Sequence, residues 1–298
     1  MAMVRDTPRG VSRDLPPELR ANKIMQTMTN LSLELSQGQF NKISGLIYKI
    51  CGIKLSQGKE ELVKSRLMKR LRSLKMSGFR EYLNYLECDE SGEELFSLVD
   101  ALTTNKTCFF RESNHFDYLR KNLLVNLKSQ RLRIWSAGCS SGEEPFSIAM
   151  TLCEELKNID RMDVRILGTD VSLTMMEKAF SGVYGEETLQ DISPGLMMKY
   201  FTCIQSSPSR FYKVNDKVRA LVRLIYLNLM GEWAMNGPFD VIFCRNVMIY
   251  FDNQTREKLV NRFWELLEPG GHLFVGHSES MNGLAHKFKY VQPAVYKK

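Results

Sequence analysis

Apolar positions in the first third of the chain recur at helical spacing. Phe40, Ile43, Ile47 and Ile50 line one helix that Gly52 can end, and Leu62, Leu67, Leu71 and Leu74 line a second that closes near Gly78. Tyr82, Tyr85 and Leu86, then Leu95, Leu98, Val99 and Leu102, predict two more. These make a small all-α domain over residues 36–100. Residues 1–35 hold clusters of Pro, Gly and Arg without sustained periodicity and read as a mobile tail.

Past residue 130 the period changes. Short β-rich apolar runs, RLRIW (131–135), VRILG (164–168), LVRLIYL (221–227), FDVIF (239–243) and HLFVG (272–276), alternate with amphipathic helical stretches. That alternation predicts a Rossmann-like α/β domain with a parallel sheet over 116–298, with closing strands near Tyr290 to Tyr296. The segment between the second and third runs is unusually long. Within it FTCI and FYKV flank Ser206-Ser207-Pro208-Ser209, which predicts a small antiparallel β insertion at about 190–219. Residues 101–115 are left as a linker.

Bulk composition narrows the classes. The 298 residues suit two domains, and 44% apolar with 25% charged residues is ordinary globular usage. No apolar run reaches membrane-spanning length and no apolar stretch follows the basic N-terminus, so a cytoplasmic protein without membrane insertion is expected. Seven scattered cysteines without a CxxC pair, and four histidines apart from them, predict reduced thiols and no metal site. The net charge of +7 is uneven: residues 1–80 carry 16 Lys and Arg against 6 Asp and Glu, whereas residues 81–298 carry 25 against 28. An acidic partner for the N-terminal half follows.

The first strand runs into SAGCSSGEEPFSIAM, a glycine turn followed by a helix, where a doubly wound fold places a ligand. The Gly138, Gly142 spacing alone fits a plain strand-to-helix turn equally well. Glu143 and Glu144 in the first helical turn would repel a pyrophosphate, and they favour an adenosine-bearing cation without phosphate, such as S-adenosylmethionine. Asp170 ends the second strand, where such folds hold ribose hydroxyls, although it could also simply start the next helix. Asn228-Leu229 and Arg245-Asn246 end the third and fourth strands at the same rim.

Four blocks, NKTCFFRE (105–112), WSAGCSSGEEPFSIA (135–149), LGTD (167–170) and FCRNVMIYF (243–251), resemble the chemotaxis receptor glutamate methyltransferases, the CheR family. The resemblance spans about 36–298. It implies a class I methyltransferase fold and S-adenosyl-L-methionine as cofactor, with S-adenosyl-L-homocysteine as product. It further implies cofactor contacts from Asn105, Thr107, Arg111, Glu143, Asp170, Asn228, Leu229, Arg245 and Asn246, and Tyr250 beside the transferred methyl. The implied substrates are glutamate side chains on the cytoplasmic domains of chemotaxis receptors, reached by a monomer recruited to membrane receptor arrays. Gly138-Cys139 departs modestly from the family's small-residue loop and makes Cys139 a packing residue that thiol reagents could reach.

No base is needed, because a glutamate carboxylate with a pKa of about 4.3 is already ionised at neutral pH. Arg111 can align that carboxylate and Tyr250 can hydrogen-bond it; the plainer alternatives are a salt bridge from Arg111 to Glu112 or Asp117 and a core role for Tyr250. Lys59, Arg66, Lys69 and Arg70 fall on one face of the second helix, opposite Val63, Leu67 and Leu71, and are expected to dock an acidic receptor surface. A nucleic-acid partner is not expected: the Asp/Asn-Pro-Pro-aromatic motif is absent, and no aromatics interleave the basic face.

Overall fold

The computed structural model describes residues 33–298. The expected tail over 1–35 lies, apart from its last three residues, outside the described residues.

Four helices form the N-terminal domain: α1 (Gln37–Cys51), α2 (Glu60–Ser73), α3 (Phe79–Cys88) and α4 (Glu93–Leu102). Ser36 starts α1 through a reciprocal capping box with Gln39, and Gly52, at φ 74°, ends it in the left-handed conformation. Phe40, Ile43 and Ile47 of α1 meet Val63, Leu67 and Leu71 of α2 in one core with Phe79, Tyr82, Leu98 and Val99. Two expected core positions point outward: Leu62 is 40% exposed and Tyr85 is 42% exposed. The rest of each expected stripe is buried, Leu67 and Leu71 with Val63 on α2, and Tyr82 and Leu86 with Leu83 on α3.

This small core holds one buried ion pair. Glu94, 2% exposed, accepts from Arg70 Nε at 2.7 Å, from a second Arg70 nitrogen and from the Tyr82 hydroxyl at 2.8 Å. Burial, then the hydrogen bond to Glu94, pushes the Tyr82 hydroxyl up, so it stays a donor.

The larger domain follows a short helix α5 (Ser113–Tyr118). Its main sheet contains β1 (Arg131–Ala137), β2 (Asp163–Asp170), β6 (Val222–Tyr226), β7 (Phe239–Cys244), β8 (Leu267–Val275), β9 (Lys289–Gln292) and β10 (Val295–Lys297), in the order β6-β2-β1-β7-β8-β10-β9. All pairings are parallel except those of β10, so counted within the sheet the order is 3-2-1-4-5-7-6 with the seventh strand reversed. Helices α6 (Glu143–Glu155), α7 (Leu173–Ser181) and α10 (Asn253–Leu266) flank it. Phe146, Ile148, Phe243 and Phe274 fill one face, and Trp135, Ile242, Leu259 and Phe263 fill the other. Strand order reverses between the parallel neighbours β1 and β7, which opens a crevice at their carboxyl ends.

The insertion is larger than the expected hairpin. β4 (Phe201–Gln205) and β5 (Phe211–Val214) pair as expected, but β3 (Val183–Gly185) adds to the other edge of β5, giving the order β3-β5-β4. Three residues of strand were too short to show a period. Two short helices, α8 (Pro194–Tyr200) and α9 (Asp216–Arg219), complete it.

The helical domain is fixed to the larger one by backbone. Asn228 Nδ2 donates to Ile50 O at 2.6 Å, the Lys54 amide donates to Tyr250 O at 2.8 Å, and the Tyr48 hydroxyl donates to Asp252 at 2.8 Å. A side chain at Gly52 would lie 2.8 Å from the Met230 sulfur.

Glu94→Gln should lower stability in urea unfolding by roughly 1–3 kcal/mol, the penalty for an ill-satisfied buried partner, moderated by the partly exposed Arg70. An unchanged midpoint would mean that the pair contributes nothing.

Candidate active site

A cleft of about 860 Å³ opens at the carboxyl ends of β1, β2, β6 and β7. Asn105, Thr107 and Arg111 from the linker line it, with Asp170, Asn228, Leu229, Arg245, Asn246 and Tyr250 from the strand ends. Cys51 and Ile53 reach it from the helical domain, so both domains form its walls. Glu143 is the one expected cofactor residue off the lining. Its carboxylate turns back to accept from the Ser141 hydroxyl at 2.8 Å, and burial pushes it up. The neighbouring Glu144, about 100° further round α6, takes the place in the cleft.

The glycine turn is shaped by close approach. Gly138 (φ 89°) lies where a Cβ would be 2.4 Å from Val247, and Gly142 (φ 96°) where one would be 3.0 Å from Ala179. The Ser140 and Ser172 amides donate to the two Asp170 oxygens at 2.8 and 2.9 Å. Asp170 therefore organises the turn and the start of α7, and it also lines the cleft. Burial pushes its carboxyl up, partly offset by those amides. Cys139 is a correction: it is 1% exposed, and burial pushes its thiol well up, so it is packing and not a handle for thiol reagents.

Arg245 is the hub. Its Nε donates to Glu144 at 2.7 Å, its Nη1 to Arg111 O at 2.6 Å, and Glu112 lies 3.4 Å from that Nη1. Glu144 also accepts from the Ser136 hydroxyl at 2.6 Å, and the rings of Phe116 and Phe243 flank the guanidinium. His115 Nδ1 is 3.2 Å from Arg245 Nη1; burial, then the Arg245 charge, pushes the imidazole down to about 3, so it is a neutral acceptor. Burial raises the Glu112 carboxyl, but the His277 amide and Arg245 outweigh it and hold it below the ordinary value. Glu112, His115 and His277 bring possible ligand atoms within 4.8 Å of one another, yet the Arg245 guanidinium already faces Glu112 and His115 there.

Arg111 itself donates only to Lys106 O, at 2.8 Å, among the described residues. Both carboxylates that could have neutralised it are engaged elsewhere: Asp117 pairs with Arg120, and Glu112 faces Arg245, Asn246 and His277. His272 is buried beside Tyr118, with its imidazole pushed down to about 4 by burial.

The basic face of α2 changes most. Arg66 gives its guanidinium to Leu102 O, Thr103 O and the Thr104 hydroxyl, at 2.7, 3.0 and 2.7 Å, and Arg70 is bound to Glu94. Both hold α2 to α4 and the linker; Lys59 and Lys69 remain exposed.

Sequence reasoning missed Glu144, Thr103, Thr104, Cys51 and Ile53. Glu144 was visible as the second carboxylate of the turn; the others carry no motif.

The 3-2-1-4-5-7-6 sheet, with an acidic glycine turn at its switch point, defines a class I S-adenosylmethionine-dependent methyltransferase. Family models described as "CheR methyltransferase, all-alpha domain" and "CheR methyltransferase, SAM binding domain" match residues 38–103 and 105–297. The chain belongs to the CheR methyltransferase family. It is 41% identical over 258 residues to the "Probable chemotaxis protein methyltransferase" of Rhizobium etli, covering 85% of this chain and 96% of that one. It is 40% identical over 265 residues to the "Chemotaxis protein methyltransferase" of Escherichia coli, covering 89% and 92%. The protein of the same name from Borreliella burgdorferi is 38% identical over 282 residues, covering 92% and 98%.

Asp170→Asn should weaken S-adenosylhomocysteine binding by about 1–3 kcal/mol in calorimetry, the cost of a lost charge-assisted bond. The ionised carboxylate is the better acceptor, and burial raises its pKa. Affinity of the parent should therefore fall on acidification at a pH above that of an exposed aspartate, and the Asn variant should flatten that dependence.

Proposed function

We propose that this chain transfers a methyl group from S-adenosylmethionine to glutamate carboxylates on the cytoplasmic domains of chemotaxis receptors, forming methyl esters. The observation that carries this reading is Arg111: a guanidinium in the cofactor cleft, alongside Tyr250, without a carboxylate partner among the described residues.

The residues fit the cofactor. Asp170 presents an acceptor for ribose hydroxyls, Glu144 keeps the glycine turn hostile to phosphate, and Leu229, Val171 and Ile53 offer apolar walls. Asn105, Thr107, Asn228 and Asn246 add neutral polar groups around the same cleft. When bound, S-adenosylmethionine supplies a methyl group on a sulfonium centre.

The chain's own residues then orient and exclude water. An incoming glutamate is already ionised, so no side chain has to remove a proton. In this reading Arg111 attracts and aligns that carboxylate, and Tyr250, which lines the same cleft, donates to it. The role is orientation, because too tight a pairing would blunt the nucleophile; the bond of Arg111 to Lys106 O orients the guanidinium without cancelling its charge.

Recruitment is electrostatic in this reading. Lys59 and Lys69 are the exposed members of the expected docking face, and no helix among the described residues is long and apolar enough to cross a membrane. A cytoplasmic enzyme brought to receptor arrays by its own substrate fits both observations.

Labelled-methyl transfer to purified receptors tests the activity: base-labile label on receptor is expected, and base-stable label on nucleic acid would sink the proposal. Arg111→Ala should lower kcat even at saturating cofactor, on the order of 100-fold for lost alignment. Restoration of kcat by cofactor alone would reduce Arg111 to a binding residue. Lys59→Glu with Lys69→Glu should raise the receptor KM and flatten its salt dependence while leaving cofactor affinity unchanged. An unaltered KM would return α2 to a solvated face.

A further inference from the structure

Beyond the cleft lies a carboxylate that no motif drew out. Glu279, 5% exposed, follows β8 in a turn in which its own amide donates to Gly276 O at 2.8 Å. Its Oε2 accepts the amides of Gly276 at 2.6 Å and Asn246 at 2.7 Å, and its Oε1 accepts the amide of Ile249 at 3.1 Å. Among the described residues no Lys, Arg or His pairs with it. A buried carboxylate held by backbone amides alone is costly to desolvate, and it repays that cost only by fixing those amides.

The amides it fixes belong to the loop that follows β7. That loop turns through a left-handed residue: Asn246 has φ 60°, a conformation asparagine adopts more readily than most residues with a side chain. Gly276 is packed so closely that a Cβ there would be 2.4 Å from Asn246 Nδ2 and 2.8 Å from Glu279 Oε2. The same loop delivers Asn246, Val247 and Tyr250 to the cleft, and Val247 covers Gly138 of the cofactor turn. Glu279 does not line the cleft, yet it binds the amide of one lining residue, Asn246, and the amide next to another, Tyr250.

We infer that Glu279 is a positioning residue for methyl transfer: its carboxylate gathers the amides at 246, 249 and 276 and so sets Asn246 and Tyr250 against the bound cofactor and substrate. This rests on the methyltransferase reading for its final step only; the loop order itself can be read without any substrate.

Glu279→Gln is nearly isosteric but must turn an NH₂ toward at least one backbone N–H. With the full chain, hydrogen exchange of peptides covering 245–250 should speed up about tenfold without a matching change in α1 to α4 or β1, and S-adenosylhomocysteine should bind about tenfold more weakly. Receptor kcat should fall at least about tenfold at saturating cofactor while the receptor KM moves little. Glu279→Asp, which keeps the charge but shortens the reach, should fall between parent and Gln in both exchange and kcat, and it covers the case in which the Gln variant does not fold. Parent-like exchange and kinetics in both variants would overturn the inference. So would exchange that rises across the whole chain in proportion to lost thermal stability, since that marks plain structural support. If local exchange and cofactor affinity change as expected but the parent itself methylates no receptor, the positioning role stands and the substrate assignment fails.

Discussion

The Arg245 guanidinium ties the glycine turn and residues 111–115 to its own strand β7, and the geometry of the cleft depends on where it is held. It receives Glu144 from the glycine turn, the Arg111 carbonyl and Glu112 from the linker, and His115 from α5, with its own strand β7 behind it. A charge buried to this extent is tolerable only with most of its donors satisfied, because the desolvation cost is several kcal/mol per ion. Each partner is thereby placed by the others. The neutral His115 matters to this balance: an imidazolium would add a second positive charge beside the guanidinium, and burial keeps it from forming.

One consequence reaches the substrate side. Because Arg245 binds the backbone carbonyl of Arg111 and draws Glu112 toward itself, the Arg111 side chain is left facing the cleft without a carboxylate neighbour. Adjacent residues of opposite charge, Arg111 and Glu112, would ordinarily invite a local pair. The left-handed backbone of Glu112, at φ 57°, turns the two side chains apart. Strain at one residue is thus offset by the hub, and it leaves Arg111 in the cleft without a carboxylate neighbour among the described residues, as the proposed alignment of a carboxylate substrate requires.

The sequence made the architecture legible because its signals are periodic or steric. The Phe40, Ile43, Ile47 stripe, the left-handed stop at Gly52, the five apolar runs and the closing strands are all local facts, and all are seen. The phase of α2 and α3 was legible through Leu67, Leu71, Tyr82 and Leu86, which are buried, but Leu62 and Tyr85, large and apolar, lie exposed at the stripe's margin, where helical wheels discriminate poorly. Glu143 and Glu144 are alike in a one-dimensional reading; only the start point of α6 decides which one faces Ser136 and Arg245. β3 is three residues long and pairs with a strand more than 20 residues away, so it left no local trace. Partner choice by long side chains is the least legible feature of all. Nothing in the spacing of Arg66 and Arg70 tells that one ends on carbonyls and the other on a buried glutamate.

That difference in partners also decides what the basic face retains. Arg70 is matched by Glu94, so at a distance the pair is close to neutral and adds little to the field of α2. Arg66 bonds only to two carbonyls and a hydroxyl, which orient the guanidinium without cancelling its charge. Its positive charge still projects, now from a fixed position at the junction of α2, α4 and the linker. The linker carries Asn105, Thr107 and Arg111 into the cleft. The same side chain that holds Thr103 and Thr104, just upstream of those residues, therefore also contributes to the potential an acidic partner meets on approach. Structural anchoring and electrostatic attraction are compatible in Arg66 for the reason that they are not in Arg70: its acceptors are dipoles, and a dipole leaves the ion's charge in place.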